Sequence, residues 1–106
     1  MKNKIQRNII IQGETVEQMK KLPSESFDFC FADPPYFMQL EENKKLLRVE
    51  GTEFKGVDDD WDKFESMDAY KEFTKNWLSE VRRLLKKDGA ICLISGMQSI
   101  FEIGSI

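Results

Sequence analysis

Histidine is missing altogether from this 106-residue chain, which removes the commonest general base and every Ser-His-Asp arrangement. Cysteine is scarce. Cys30 and Cys92 are too few to hold a metal alone, and without histidine they cannot complete a mixed site, so no metal is expected. Both lie in apolar runs, where a cysteine behaves as a small buried hydrophobe, and a reduced, cytoplasmic setting is the simpler reading. Long hydrophobic runs are absent too. The apolar stretch near the N-terminus, Ile9 to Ile11, is shorter than the roughly 7 to 15 residues of a signal peptide or the about 20 of a membrane helix, so no membrane association is expected. Positive charge is not in excess: 16 basic against 19 acidic residues give a net charge of -3, so any case for nucleic acid must be local. No two glycines stand two positions apart, so there is no Gly-x-Gly loop.

What is present reads as alternating strands and helices within one core, since the length leaves no room for two. Asn8 to Gln12 holds three consecutive isoleucines and predicts a short buried strand. Thr15-Val16-Glu17-Gln18 fits a capping box opening a short helix that Pro23 ends. Phe27 to Ala32, apolar on both faces after Asp28, predicts a strand inside a parallel sheet. A polar stretch from Gln39 to Asp62 then separates two more regular halves. From Met67 to Lys87, Tyr70, Phe73, Trp77, Val81 and Leu84 form one helical stripe, with Ser66 as the cap and Gly89 closing the far end. Arg82, Arg83, Lys86 and Lys87 read as a solvated helix end that complements the dipole. Ala90 to Ile94 predicts a third buried strand, and Gln98 to Ile106 the start of another helix. The order predicts an α/β fold with a parallel sheet and flanking helices, incomplete because three strands cannot bury both faces well.

The chemistry concentrates in Asp33-Pro34-Pro35-Tyr36, directly after the second strand. In an open α/β sheet, ligands bind outside the carboxyl ends of the strands. Asp33 offers a carboxylate there, Pro34 a carbonyl on a backbone stiffened by two rings, and Tyr36 a flat ring. Two acceptors beside an aromatic plate suit a planar ligand with an exocyclic amino group. The plainer alternative is that the prolines merely end the strand and Tyr36 covers the sheet edge.

This tetrapeptide resembles the signature of the amino (N6-adenine and N4-cytosine) DNA methyltransferases, whose Asp form is associated mainly with adenine N6. The resemblance runs from about Ile9 to Ile106. Lys45-Leu46-Leu47-Arg48, Gly51, Gly56-Val57-Asp58-Asp59, Trp61-Asp62-Lys63-Phe64 and Ile100-Phe101-Glu102-Ile103-Gly104 are similar to the β-class subgroup that recognises GANTC, which includes the cell-cycle-regulated enzyme. It implies a partial Rossmann-like fold dependent on S-adenosyl-L-methionine, with residues 1–106 forming the N-terminal part of a single catalytic domain. It further implies methyl transfer to adenine N6 in double-stranded DNA within a restriction-modification setting, with the target base flipped out of the stack. Asp33, Pro34, Pro35 and Tyr36 would be catalytic. Gly13, Glu14 and Asp33 would meet the cofactor, with Glu14 standing where the family usually has Asp. Lys44, Lys45 and Arg48 would meet DNA phosphates, and a homodimer is compatible with the family. The other departure is Ser95-Gly96-Met97, where the subgroup tends to have Gly-Ser-aromatic.

The family's Phe-x-Gly-x-Gly cofactor motif has no counterpart here, so these 106 residues are expected to be inactive alone. Two alternatives stand beside this expectation. One is a related methyltransferase acting on another amino or amide nitrogen, whose signature carries Asn in place of Asp33. The other is a non-catalytic remnant that serves as a binding or dimerising module.

Overall fold

The computed structural model describes residues 5–37 and 63–106, together with the backbone of Leu46–Leu47 and Glu53–Phe54. Its elements in chain order are helix α1 (Thr15–Lys20), strands β1 (Phe27–Ala32), β2 (Leu46–Leu47) and β3 (Glu53–Phe54), helix α2 (Met67–Leu84), strand β4 (Leu85–Leu93) and helix α3 (Ile100–Ser105). β1 pairs with β4 in parallel, and β2 with β3 antiparallel in a separate short ladder. A parallel pair joined through a helix is the α/β arrangement expected.

α2 forms for the reasons legible in its pattern. Ser66 Oγ accepts from the Ala69 amide at 3.1 Å, and Asp68 stands in the first turn. Tyr70, Trp77, Val81 and Leu84 are buried along one stripe, with Thr74 between them donating its hydroxyl to the Tyr70 carbonyl at 2.8 Å. Ile103 of α3 joins this core, and a Lys71–Glu102 ion pair at 2.8 Å links α2 to α3.

The helix ends at Leu84, three residues before the expected Lys87. Its final carbonyls are claimed from outside: the Glu25 amide donates to Arg83 O and the Ser26 amide to Leu84 O, both at 2.9 Å. The chain passes straight into β4. Phe27 pairs with Leu85 and Phe29 with Ala90, so two steps along β1 match five along β4 and Lys86 to Gly89 bulge out. Gly89 therefore does not close the helix. A Cβ there would lie 3.0 Å from the Lys86 carbonyl and 3.2 Å from the Asp28 carbonyl, a tight approach to two backbone oxygens that favours glycine in the bulge.

Three expectations require correction. Residues 8–12 form no strand: Asn8 takes a left-handed φ of 57°, no strand among the described residues pairs with this stretch, and Ile10 is 99% exposed. The strand at 90–93 exists, but Cys92 is exposed, as are Phe29 and Phe31 of β1 on the same face, because among the described residues no second layer covers that face; Ile91, on the opposite face, is exposed as well. The helix from Gln98 begins later, at Ile100, after a turn. Cys30 is half-buried, and burial pushes its thiol pKa up, as for an inert structural cysteine. Among the described residues no helix is long and apolar enough to cross a membrane.

Candidate active site

The tetrapeptide stands at the carboxyl end of β1, where the ladder takes one last bond from the Ile94 amide to Ala32 O at 3.0 Å. Beyond that point the backbone carries two prolines and cannot donate from either, so it leaves the sheet. Two hydroxyls then catch it. Tyr70 of α2, 1% exposed, donates to the Pro35 carbonyl at 2.8 Å, and Ser99 before α3, 0% exposed, donates to the Tyr36 carbonyl at 3.0 Å. The Pro34 carbonyl has no hydrogen-bond partner among the described residues.

The side chains make a compact group. Asp33 is exposed, and its Oδ1 accepts from the Tyr36 hydroxyl, so the phenol arches back over the two prolines. Donation to that carboxylate pushes the Tyr36 phenol pKa above its ordinary range. Phe37, next in the chain, takes φ 56°, an uncommon conformation for an aromatic residue costing about 1 to 3 kcal/mol. Its ring is held by packing: it stacks on Tyr70 with centroids 5.4 Å apart, and Phe64 meets Phe37, Tyr70 and Phe73 at 5.5, 5.0 and 5.1 Å. Phe64 thus belongs to the aromatic wall behind the turn.

A cavity of about 290 Å³ lies beside Asp33 and Pro34, between the end of β1, the start of α1 and the face of α2 that carries Phe73 and Trp77. Glu14 reaches it, but in a role the sequence did not predict. Glu14, and not Thr15, caps α1: its Oε1 accepts from the Val16 amide at 3.1 Å and its Oε2 from the Glu17 amide at 2.7 Å. Thr15 is the first helical residue, and the Gln18 side chain accepts from Lys21 instead of reaching back to the cap. Gly13, at φ 152°, occupies a backbone region open mainly to glycine and sets Glu14 in place. The sequence therefore assigned the cap one residue too late. The longer Glu arm spans to two amides where Asp or Thr would usually serve one.

Trp77, 5% exposed, also lines this cavity, and among the described residues its buried indole N–H has no acceptor. The described lining consists of two carboxylates and apolar walls, with no basic side chain. That acceptor set fits a nucleoside, with amino and hydroxyl groups to give. Among the described residues it offers no partner for the carboxylate of an amino-acid moiety. Lys44, Lys45 and Arg48, and Trp61 with Asp58 to Asp60, lie outside the described residues. Sequence reasoning missed Tyr70 and Ser99 as members of the site. Tyr70 read only as core stripe, and no local signal tied either hydroxyl to a backbone 35 or 63 residues away.

A family model described as DNA methylase matches residues 27–106. Over 99 residues the chain is 50% identical to the Type II methyltransferase M.HinfI of Haemophilus influenzae, a match covering 93% of this chain and 27% of that protein. It is 31% identical over 104 residues to the Type II methyltransferase M2.DpnII of Streptococcus pneumoniae, covering 97% of this chain and 36% of that one. The chain spans between a quarter and somewhat over a third of the length of these relatives.

Proposed function

The chain belongs to the DNA methylase family that matches its residues 27–106, and from that premise we propose that it carries the base-gripping segment of a site-specific adenine-N6 methyltransferase. The methyl group would pass from S-adenosyl-L-methionine to adenine N6 in double-stranded DNA, at GANTC. The observation that carries this reading is the pair of acceptors at the end of β1: the exposed Asp33 carboxylate and the Pro34 carbonyl, unpartnered among the described residues, beside the Tyr36 ring. The likeness to two Type II methyltransferases supports a modification role. The motif resemblance from Lys45 to Gly104 supports the GANTC assignment.

An adenine inside the duplex must leave the stack, at a cost of a few kcal/mol. Stacking on Tyr36 returns about 1 to 3 kcal/mol of that. Asp33 and Pro34 O then accept the two amino protons. The amino lone pair is delocalised into the ring, and two acceptors below it favour a more tetrahedral nitrogen whose lone pair points away from the ring plane. Asp33 acts here by orientation and by electrostatic stabilisation of the developing positive charge on nitrogen. The cofactor, when bound, supplies an electrophilic methyl carbon. Glu14 and Asp33 are the residues that would hold its nucleoside part, and among the described residues lining the cavity no basic side chain stands ready for the methionine carboxylate. With no Phe-x-Gly-x-Gly motif in the sequence, the 106 residues alone are expected to transfer nothing.

The test is transfer of tritium from labelled S-adenosyl-L-methionine by the full-length protein. Label should enter duplexes containing GANTC and stay out of site-free duplexes; equal labelling of both refutes the specificity, and no labelling of either refutes the activity. The exposed sheet face, with Phe29 at 56% and Phe31 at 62%, favours a second reading as a binding or dimerising module. Under it, self-association would be unchanged by Asp33→Ala and no label would move.

A further inference from the structure

The two buried hydroxyls that hold the tetrapeptide have no part in the reaction as derived so far. Tyr70 comes from the first turn of α2 and Ser99 from the turn before α3, and they reach successive carbonyls of the same short backbone, Pro35 O at 2.8 Å and Tyr36 O at 3.0 Å. Both residues are almost wholly buried, so each hydroxyl needs an acceptor, and each finds one on this backbone. The Ser99 backbone is separately engaged: its amide donates to Gly96 O at 3.1 Å and its carbonyl accepts from the Ile103 amide at 2.9 Å. The Oγ is thus placed by a turn that is already closed. Upstream of the two bonded carbonyls, the proline-stiffened backbone presents Pro34 O, which has no partner among the described residues.

We propose that Tyr70 and Ser99 are positioning residues for the methyl-transfer reaction: by pinning the Pro35 and Tyr36 carbonyls they aim the free Pro34 carbonyl at the amino group of the target base. This deepens the function proposed above and rests on it. The physical reason is the geometry of a dipeptide plane. Pro34 and Pro35 fix φ at two successive residues, which leaves their ψ angles as the soft variables of the turn. A bond to the Pro35 carbonyl fixes the ψ of Pro35, and one to Tyr36 O anchors the far end of the same segment. With both in place, the direction of Pro34 O is set by the fold and needs no substrate to orient it. A displacement of about 1 Å at such an acceptor can cost on the order of a hundredfold in rate.

Tyr70→Phe and Ser99→Ala each remove one hydroxyl and little else. The experiment measures single-turnover methyl transfer, the KM for DNA, and the fluorescence of a duplex with 2-aminopurine at the target position, all with full-length protein. 2-Aminopurine reports flipping but has no amino group at position 6, so it cannot engage the Pro34 carbonyl in this way. Each variant should lose about tenfold or more in transfer rate on adenine, with KM for DNA within about twofold and the 2-aminopurine signal retained. Loss of the transfer rate and the 2-aminopurine signal together means the turn has merely collapsed, and overturns the proposal. An unchanged transfer rate in both variants overturns it as well. If the unsubstituted protein moves no label, the function itself fails, and this inference with it.

Discussion

The two ends of β1 are built from similar parts and are left in opposite states. At the amino end, Arg83 of α2 binds Glu80 at 2.9 Å, the Leu22 carbonyl at 2.9 Å, Ser24 Oγ at 3.0 Å and the Met19 carbonyl at 2.7 Å, while Lys86 pairs with Asp28 at 2.9 Å. The amides of Glu25 and Ser26 close the end of α2. At the carboxyl end the backbone is also held, by Tyr70 and Ser99, yet among the described residues the Pro34 carbonyl has no partner and the Asp33 carboxylate is exposed. A strand end whose polar groups consume one another is structural. One that is rigid and still keeps acceptors open suits the ligand role proposed above, and in such sheets ligands collect at the carboxyl ends.

The largest effect that can break this contrast is at the open end. In full-length protein, Asp33→Ala should lower methyl transfer by about a hundredfold to a thousandfold, the usual cost of one preorganised electrostatic partner. Thermal stability should hardly move, because the carboxylate is exposed and its bond is to a neighbouring hydroxyl. A large loss of stability instead would make both ends structural. Next comes Arg83→Ala at the closed end. It leaves the Met19 and Leu22 carbonyls without their charged donor and should cost about 2 to 3 kcal/mol in chemical denaturation. Transfer per folded molecule should stay within about twofold. If it falls as far as in Asp33→Ala, the two ends do not act separately.

A smaller effect sharpens the boundary of the site. Glu14→Ala removes the cap of α1 and should cost about 1 kcal/mol in stability. Glu14 also lines the cavity beside Asp33, so equilibrium binding of S-adenosyl-L-methionine separates its two duties. A weakening of binding by more than about fivefold assigns Glu14 to the cofactor, and binding within about twofold leaves it a cap alone.

These contrasts also explain what the sequence could reveal. β1, the regular part of β4 and the stripe of α2 were legible because each rests on local periodicity, and Ser66 because a cap is a local bond. The tetrapeptide was legible because two prolines at a strand end admit few backbone paths. The failures share a cause. The isoleucines at 9–11 have strand propensity, but a strand needs a partner, and propensity does not say whether one is there. The basic cluster read as solvated because charge at a helix end complements the dipole, yet Arg83 spends its guanidinium on carbonyls about 60 residues away in sequence. Tyr70 and Ser99 escaped notice in the same way, as did the bulge at Lys86 to Gly89, whose shape depends on the register against Phe27 and Phe29.

The smallest effect tests whether the open end is open at rest. Tyr36 donates its hydroxyl to Asp33 Oδ1, so one carboxylate oxygen is occupied by the protein itself, and an amino group must compete for it or use the other. Tyr36→Phe keeps the ring for stacking and removes the competitor. A neutral donor at an exposed site contributes on the order of 0.5 kcal/mol, so transfer should rise by about twofold. The pH dependence gives the sign independently. The phenol pKa lies above its ordinary range because its proton is shared with the Asp33 carboxylate. The bond therefore persists through neutral and mildly alkaline solution and is lost only as pH rises past that raised value. Between pH of about 6 and 9 the two proteins should differ by a constant factor, the phenol staying protonated throughout that range. A tenfold fall in Tyr36→Phe would mean that the hydroxyl assists the reaction, and that its bond to Asp33 holds the carboxylate in its working orientation.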